Sequence, residues 1–147
     1  MSTEKRRTSS PAFAGEDFSC ENWEQKRFSG AVFRGCDFSD AILDHCEFDG
    51  CSFRACRFSG TVFRRCSLTN CTFPYASLFA VTFDECRMIG SSLAEASVSA
   101  LTPKGGNWSF VCLTGLDLSR LVWENASFEG ADPVSYTHLR AHETCAD

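Results

Sequence analysis

The sequence lacks the short patterns that identify most enzymes. It contains no glycine-rich phosphate-binding loop, no nucleophile elbow and no HExxH zinc motif. His45 is the only histidine between residues 11 and 132, and no serine or cysteine is obviously placed to form a catalytic triad with it. We therefore expect a protein that is not an enzyme and that uses no cofactor.

Long apolar segments are also absent. No apolar run approaches the roughly 20 residues that a helix needs to cross a bilayer. No segment combines a charged start, an apolar stretch and a small-residue cleavage site, as a signal peptide does. The net charge of −5 is mild, and a length of 147 residues suggests one domain. We expect a soluble cytoplasmic protein.

What the sequence does contain is a large apolar residue at every fifth position. The register runs from Phe13 to Phe128 and is interrupted at Pro103; all three tryptophans and all phenylalanines except Phe79 and Phe110 lie on it. A period of five matches neither the helix, with about 3.6 residues per turn, nor the strand, with a period of 2. A fixed short period predicts a repeat architecture.

A second position, two residues before each large residue, is restricted to small side chains. The residue after each large one is usually polar, and the next is often glycine or another turn former. Each unit therefore provides one large inward residue, one small inward residue and a polar corner. The small positions of the regular region are Ala31, Cys36, Ala41, Cys46, Cys51, Cys56, Thr61, Cys66, Cys71, Ala76, Val81, Cys86, Ser91 and Ala96.

Units such as AVFRG at residues 31–35, CDFSD at 36–40 and CSFRA at 51–55 resemble the pentapeptide-repeat family. The resemblance extends over residues 11–131. It implies an all-β fold, a right-handed quadrilateral β-helix in which each unit forms one side and four units form a coil. At about 20 residues per coil, we expect about six coils stacked at the spacing of β-strands.

Three segments follow from the extent of the period. Residues 1–10 are polar and are expected to be a disordered tail, and residues 11–132 the β-helix. Residues 133–147 lose the period, and SYTHLRAHET at residues 135–144 looks like a translated sequencing-adapter string. We expect this tail to be foreign and the native C-terminus to be truncated.

Two places depart from the repeat within the expected β-helix. Glu16, Glu21 and Lys26 occupy small positions of the first coil, where an unpaired charge is costly to bury. We expect an irregular first coil that caps the rod. Residues 101–107 contain Pro103 and two glycines, which predicts either a bulged corner that keeps the count of five or a small loop.

Seven of the ten cysteines fall on the small positions and are expected to pack as buried free thiols. A disulfide between neighbouring coils is compatible with the distance, but parallel side chains make it awkward. A zinc site needs four converging ligands, which a straight ladder does not offer. We expect no metal.

The function predicted from these features is a rigid protein-interaction module. The alternative comes from the resemblance: some members of the family mimic DNA, bind DNA gyrase or topoisomerase IV and protect them from quinolones or toxins. We expect no direct nucleic-acid binding and no membrane contact. The family also implies a possible native homodimer, formed by a C-terminal helix that the foreign-looking tail replaces.

A DNA mimic needs a continuous acidic face, because duplex DNA carries one charge per about 1.7 Å. Residues 11–132 contain 16 acidic and 10 basic residues, a net charge of −6, with arginines interspersed. One contiguous acidic face would favour mimicry, and scattered signs would favour a general scaffold. The candidate residues of a partner-binding acidic surface are Asp37, Asp44, Glu47, Asp49, Asp84, Glu85, Asp117 and Glu124.

Overall fold

A computed structural model describes residues 11–118, Leu121 and residues 125–127. The described residues form short β-strands and turns, with no helix among them. Each strand has three residues, and its middle residue is the large apolar residue of a repeat unit, apart from Pro103 in the last. The strands are β1 (Ala12–Ala14), β2 (Asn22–Glu24), β3 (Arg27–Ser29), β4 (Val32–Arg34), β5 (Ile42–Asp44), β6 (Glu47–Asp49), β7 (Ser52–Arg54), β8 (Val62–Arg64), β9 (Ser67–Thr69), β10 (Thr82–Asp84) and β11 (Thr102–Lys104).

The strands assemble into three parallel sheets with the orders β1-β4-β7, β11-β10-β8-β5-β2 and β3-β6-β9. A fourth side is formed by isolated parallel bridges that link Asp17, Asp37, Arg57, Ser77 and Ser97 in turn. Every partner is 20 residues away, so four units of five residues complete one turn. The fold is an all-β solenoid with four sides and about five turns, which confirms the predicted architecture.

We number the four sides in chain order. Face 1 is the side of β1, β4 and β7, and face 2 is the side of the isolated bridges that begin at Asp17. Face 3 is the side of β2, β5, β8, β10 and β11, and face 4 is the side of β3, β6 and β9. Register partners on one face therefore belong to successive coils, 20 residues apart in the sequence.

The corners explain the period of five. The residue two positions after each large residue has a positive φ at almost every described corner, which turns the chain onto the next face. Glycine adopts this left-handed conformation readily, and asparagine and aspartate tolerate it. Gly50, Asn70 and Asp40 follow this preference, with φ of 64°, 55° and 60°.

The large residues stack in columns along the interior. On face 1, the ring of Phe53 lies 5.0 Å from that of Phe33 and 5.1 Å from that of Phe73, with interplanar angles of 8° and 14°. Phe53 also makes an edge-to-face contact with Phe58 of the adjacent face at 5.5 Å. All four rings are fully buried. Aromatic contacts thus run both along the rod and across it.

The small positions carry a hydrogen-bonding role as well as a packing role. Thr61 Oγ1 donates to the carbonyl oxygen of Phe38 at 2.6 Å, and Cys66 Sγ lies 3.1 Å from the carbonyl oxygen of Leu43. The acceptor is in each case the large residue 23 positions earlier. A small side chain with a donor therefore fits this position, which accounts for the many cysteines.

The seven cysteines at these positions, from Cys36 to Cys86, are buried and free, as the sequence predicts. Burial raises the pKa of Cys56 from its ordinary 9.0 to about 12. The folded protein therefore favours the neutral thiol. The contribution of this thiol to stability is fully present below pH 9 and is lost as the pH rises toward the folded pKa of about 12.

We expect Cys56→Ala to reduce the alkaline loss of stability. Alanine occupies the same column one coil later, at Ala76, so the substitution suits the fold. The free energy of unfolding of the wild type should fall faster above pH 9 than that of the variant, by up to about 1.4 kcal/mol per pH unit. Urea denaturation between pH 8 and about 11 measures the difference. Parallel pH profiles for the two proteins would contradict the neutral buried thiol.

The first coil is regular, so the expectation of an irregular cap is wrong. Phe13, Trp23 and Phe28 pair in register with Phe33, Leu43 and Phe48. Glu16, Glu21 and Lys26 are exposed because no described residue stacks beyond them, so their charges need not be buried. Glu21 accepts a hydrogen bond from Trp23 Nε1 at 2.9 Å, and Lys26 Nζ lies 5.5 Å from the Trp23 ring.

The segment around Pro103 keeps the count of five and is not a loop. Pro103 is the buried centre of β11 and pairs with Phe83 of β10. Because β11 is the last described strand of its sheet, the missing N–H of proline removes no hydrogen bond between described strands. The expected tails at residues 1–10 and 133–147, and residues 119–120, 122–124 and 128–132, lie outside the described residues.

Candidate interaction surface

The structure divides the predicted acidic residues among three faces. Face 2 carries Asp37 and Asp117, face 3 carries Asp44 and Asp84, and face 4 carries Glu47 and Asp49, while Glu85 lies at the corner between faces 3 and 4. Glu124 lies outside the described residues. The eight residues therefore do not form a single face.

Basic residues also lie between the acidic ones. Along face 3, register pairing places Arg64 between Asp44 and Asp84, and Lys104 beyond Asp84. The charges along this column alternate in sign from Asp44 onward, whereas Glu24, the register partner that precedes Asp44, is also acidic. Such alternation supports coil stacking modestly and interrupts any acidic stripe.

Ion pairs between neighbouring coils occur on two further faces. Arg57 Nη1 lies 3.7 Å from Asp37 Oδ2 on face 2, and Arg27 Nε lies 3.5 Å from Glu47 Oε2 on face 4. Both arginine side chains are largely exposed to solvent. Exposed pairs of this kind contribute about 0–1 kcal/mol each, so they adjust the surface more than they stabilise the rod.

His45 lies at a corner between faces 3 and 4 and is exposed, as expected from its place in the repeat. Its Nδ1 atom is 2.8 Å from Asp44 Oδ1. Within the described part of the chain, no group of three or more histidine, cysteine, aspartate or glutamate side chains has the arrangement of a metal site. The same residues include no helix that is long and apolar enough to span a bilayer.

Two exposed aromatic residues stand in one coil: Tyr75 at the corner between faces 1 and 2, and Phe79 at the other end of face 2, next to the corner residue Ala80. Tyr75 is 60% exposed at the corner, and Phe79 is 53% exposed on face 2. The residues one and two coils before Tyr75 in the same column are Ala55 and Gly35. Large rings at positions that the repeat fills with small or polar residues have no role in the core.

Tyr75 also shapes a depression at this edge. It lines a cavity of about 280 Å³ together with Gly35, Ala55 and the ion pair of Asp37 and Arg57. Its φ of 59° is unusual for a bulky residue. The guanidinium of Arg54 lies 5.0 Å from the centre of the Tyr75 ring, which is a cation–π contact.

Sequence reasoning missed this surface, although part of its signal was visible. Phe79 was one of two phenylalanines outside the register, and an aromatic residue outside the register of a repeat is expected to point outward. Tyr75 gave no separate signal. Its importance depends on its position beside Arg54 of the preceding coil, which requires the coil geometry.

Comparison with known sequences agrees with the geometry. The profile of pentapeptide repeats matches residues 22–50 and 46–84, with 8 copies of the repeat. A search of curated protein sequences gave no significant match.

Comparison with solved structures finds the same fold. The chain is similar to QnrB1, a plasmid-mediated fluoroquinolone resistance protein, with a TM-score of 0.65 and 22% identity over 80% of this chain and 68% of that chain. It also matches a pentapeptide repeat protein from the Arabidopsis thaliana thylakoid lumen, with a TM-score of 0.41 and 20% identity over 69% and 67% of the two chains. HetL, a pentapeptide repeat protein involved in heterocyst differentiation regulation from the cyanobacterium Nostoc sp. strain PCC 7120, matches with a TM-score of 0.41 and 17% identity over 84% and 74%.

The fold therefore defines a class, a four-sided β-solenoid built from units of five residues. Within that class, residues 22–84 carry the pentapeptide repeats that the resemblance in the sequence implied.

Proposed function

We propose that this protein is a non-enzymatic, rigid protein-interaction module. The observation that carries the proposal is the pair Tyr75 and Phe79 in one coil, two of the three large hydrophobic residues that are exposed in the described part of the chain. Aromatic residues are enriched in protein interfaces because they offer large contact areas with little loss of side-chain freedom. A solenoid surface is already ordered, so binding loses little conformational entropy.

Site-specific photo-cross-linking tests this function. A photoreactive amino acid is introduced at Thr72, Ser77, Thr82 or Arg87, which lie on faces 1 to 4 of one coil. After irradiation of source cells that express the full chain, we expect a discrete cross-linked product from one face or two adjoining faces. Cross-linking from none of the four faces, or equally from all, would contradict a specific interaction surface.

A second candidate function is the binding of DNA gyrase or topoisomerase IV as a DNA mimic. It is favoured by the similarity in fold to QnrB1, a fluoroquinolone resistance protein. The contact residues of this candidate would be the predicted acidic residues on faces 2, 3 and 4. Their separation by arginines makes it the weaker of the two candidates.

A supercoiling assay tests this second candidate. The full chain is titrated into gyrase and topoisomerase IV reactions with and without a quinolone. We expect inhibition or protection at about micromolar protein, and a loss of the effect in a variant with Asp44→Asn, Asp84→Asn and Glu85→Gln. An unchanged reaction at about 100 μM protein would rule out this function for the chain.

A further inference from the structure

We propose that the edge between faces 1 and 2 binds an acidic segment of a partner protein. In this arrangement, Arg34 and Arg54 pair with carboxylates of the segment, Tyr75 contacts an apolar side chain beside them, and Phe79 contacts a second one where the segment crosses face 2. We call these four residues the arginine–aromatic edge. The inference rests on the proposed interaction function and adds the surface and the chemistry of the partner.

The first argument is the stacking of two arginines. Arg34 of β4 and Arg54 of β7 are direct register partners, and both are exposed. Neither has a carboxylate within ion-pair distance among the described residues, whereas Arg27 and Arg57 each have one. Like charges on adjacent strands disfavour folding. A carboxylate supplied by a partner would remove this repulsion.

The second argument is the ready-made depression beside these arginines. The small side chains of Gly35 and Ala55 leave room, and the Tyr75 ring closes one end. Arg54 stacks on that ring, so the charge and the aromatic surface form one continuous site. An apolar side chain in the depression would contact Tyr75, while a neighbouring carboxylate would reach an arginine.

A second copy of the chain fits this edge poorly. Two rods packed antiparallel about Ser77 would place Asp37, two coils before it, opposite Asp117 of the other copy, two coils after it. A nucleic acid also fits poorly, because its continuous phosphates would pass close to Asp37 on face 2 and to Asp40 at the corner that follows it. A protein segment can place its carboxylates at the arginines alone.

Binding of a defined acidic peptide to the full chain tests the inference. The probe is a fluorescein-labelled peptide with three Glu-Leu-Asp-Phe repeats, and the control probe has lysine in place of both acidic residues. Fluorescence anisotropy should show saturable binding of the acidic probe only. Its Kd should rise at least about threefold when salt is raised from about 50 to 200 mM.

Matched variants locate the binding site. R34E/R54E and Y75S/F79S should each weaken binding of the acidic probe at least about tenfold. R64E/R65E reverses two charges on face 3, and F110S removes the exposed aromatic at a different corner. These two controls should change the Kd less than about twofold. Circular dichroism of all four variants checks that each one folds.

Several results would overturn the inference. One is the absence of binding at about 1 mM acidic probe, and another is binding of the lysine probe as tight as that of the acidic probe. The others are tighter binding of single-stranded DNA than of the acidic probe, and a loss of affinity in the control variants as large as in the edge variants. If the probe fails while photo-cross-linking succeeds from face 3 or 4, the interaction function stands and this edge is excluded. If cross-linking fails from every face, the interaction function itself falls.

Discussion

Replacing Phe53 with alanine is expected to lower the free energy of unfolding by about 3–5 kcal/mol. Phe53 is fully buried and stacks between Phe33 and Phe73, so its removal leaves a cavity that rigid neighbouring coils cannot close. For a domain of this size, the melting temperature should fall by about 10 °C. Thermal unfolding followed by circular dichroism measures the change.

Phe79→Ala is the matched control for Phe53→Ala. The chemical change is identical, but Phe79 is 53% exposed and lies outside the core. We expect it to alter the free energy of unfolding by less than about 0.5 kcal/mol. Equal losses in the two variants would contradict the assignment of Phe53 to an inward column and of Phe79 to the surface.

Gly106→Ala is expected to cost about 3 kcal/mol, because two penalties coincide at this residue. Its φ is +82°, which disfavours any residue with a Cβ atom. A Cβ atom would also collide with the carbonyl oxygen and amide nitrogen of Cys86 in the preceding coil. The obstacle is backbone, so it cannot move aside as a flexible side chain would.

Gly50→Ala separates the two penalties. Gly50 has a φ of +64°, but a Cβ atom there would meet no atom within 4 Å. We expect this variant to lose about 1 kcal/mol, the cost of the left-handed conformation alone. Chemical denaturation of both variants gives the comparison. If Gly106→Ala lowered the free energy of unfolding no more than Gly50→Ala, the result would contradict the close approach of Gly106 to the backbone of Cys86.

The sequence was sufficient to predict the architecture because one physical rule repeats at every coil. The positions of Phe33, Phe53 and Phe73 on a period of five also place them 20 residues apart, so their stacking follows directly. The small positions could be assigned in the same way, and the seven cysteines at these positions proved to be buried thiols. Local periodicity is a strong predictor where all neighbours obey the same period.

The errors arose at places where the surroundings differ from the repeat. Glu16 and Glu21 were assigned to an irregular cap on the assumption that their side chains would be buried. Both side chains are exposed, since no described residue stacks beyond them. At Pro103, composition suggested a break, but pairing with Phe83 holds the residue in register. Tertiary pairing outweighed the local preference in both cases.

The candidate site was harder to predict than the fold. The acidic residues are evident in the sequence, but a shared function requires that they lie on one face, and they lie on three. The arginine–aromatic edge combines residues from three coils and two faces. A surface of this kind becomes apparent only when the coils are stacked, because its members share no local spacing.

The pairing of every residue with one 20 positions away has a consequence for how such genes can change. An in-frame duplication or deletion of one whole coil would preserve every column and alter only the length of the rod, by about 4.8 Å. The insertion or deletion of a single codon within a coil would instead shift every later residue to a different position of the repeat, so that corner residues would face the interior. Length is therefore the property that this lineage can vary most easily, while the cross-section stays fixed.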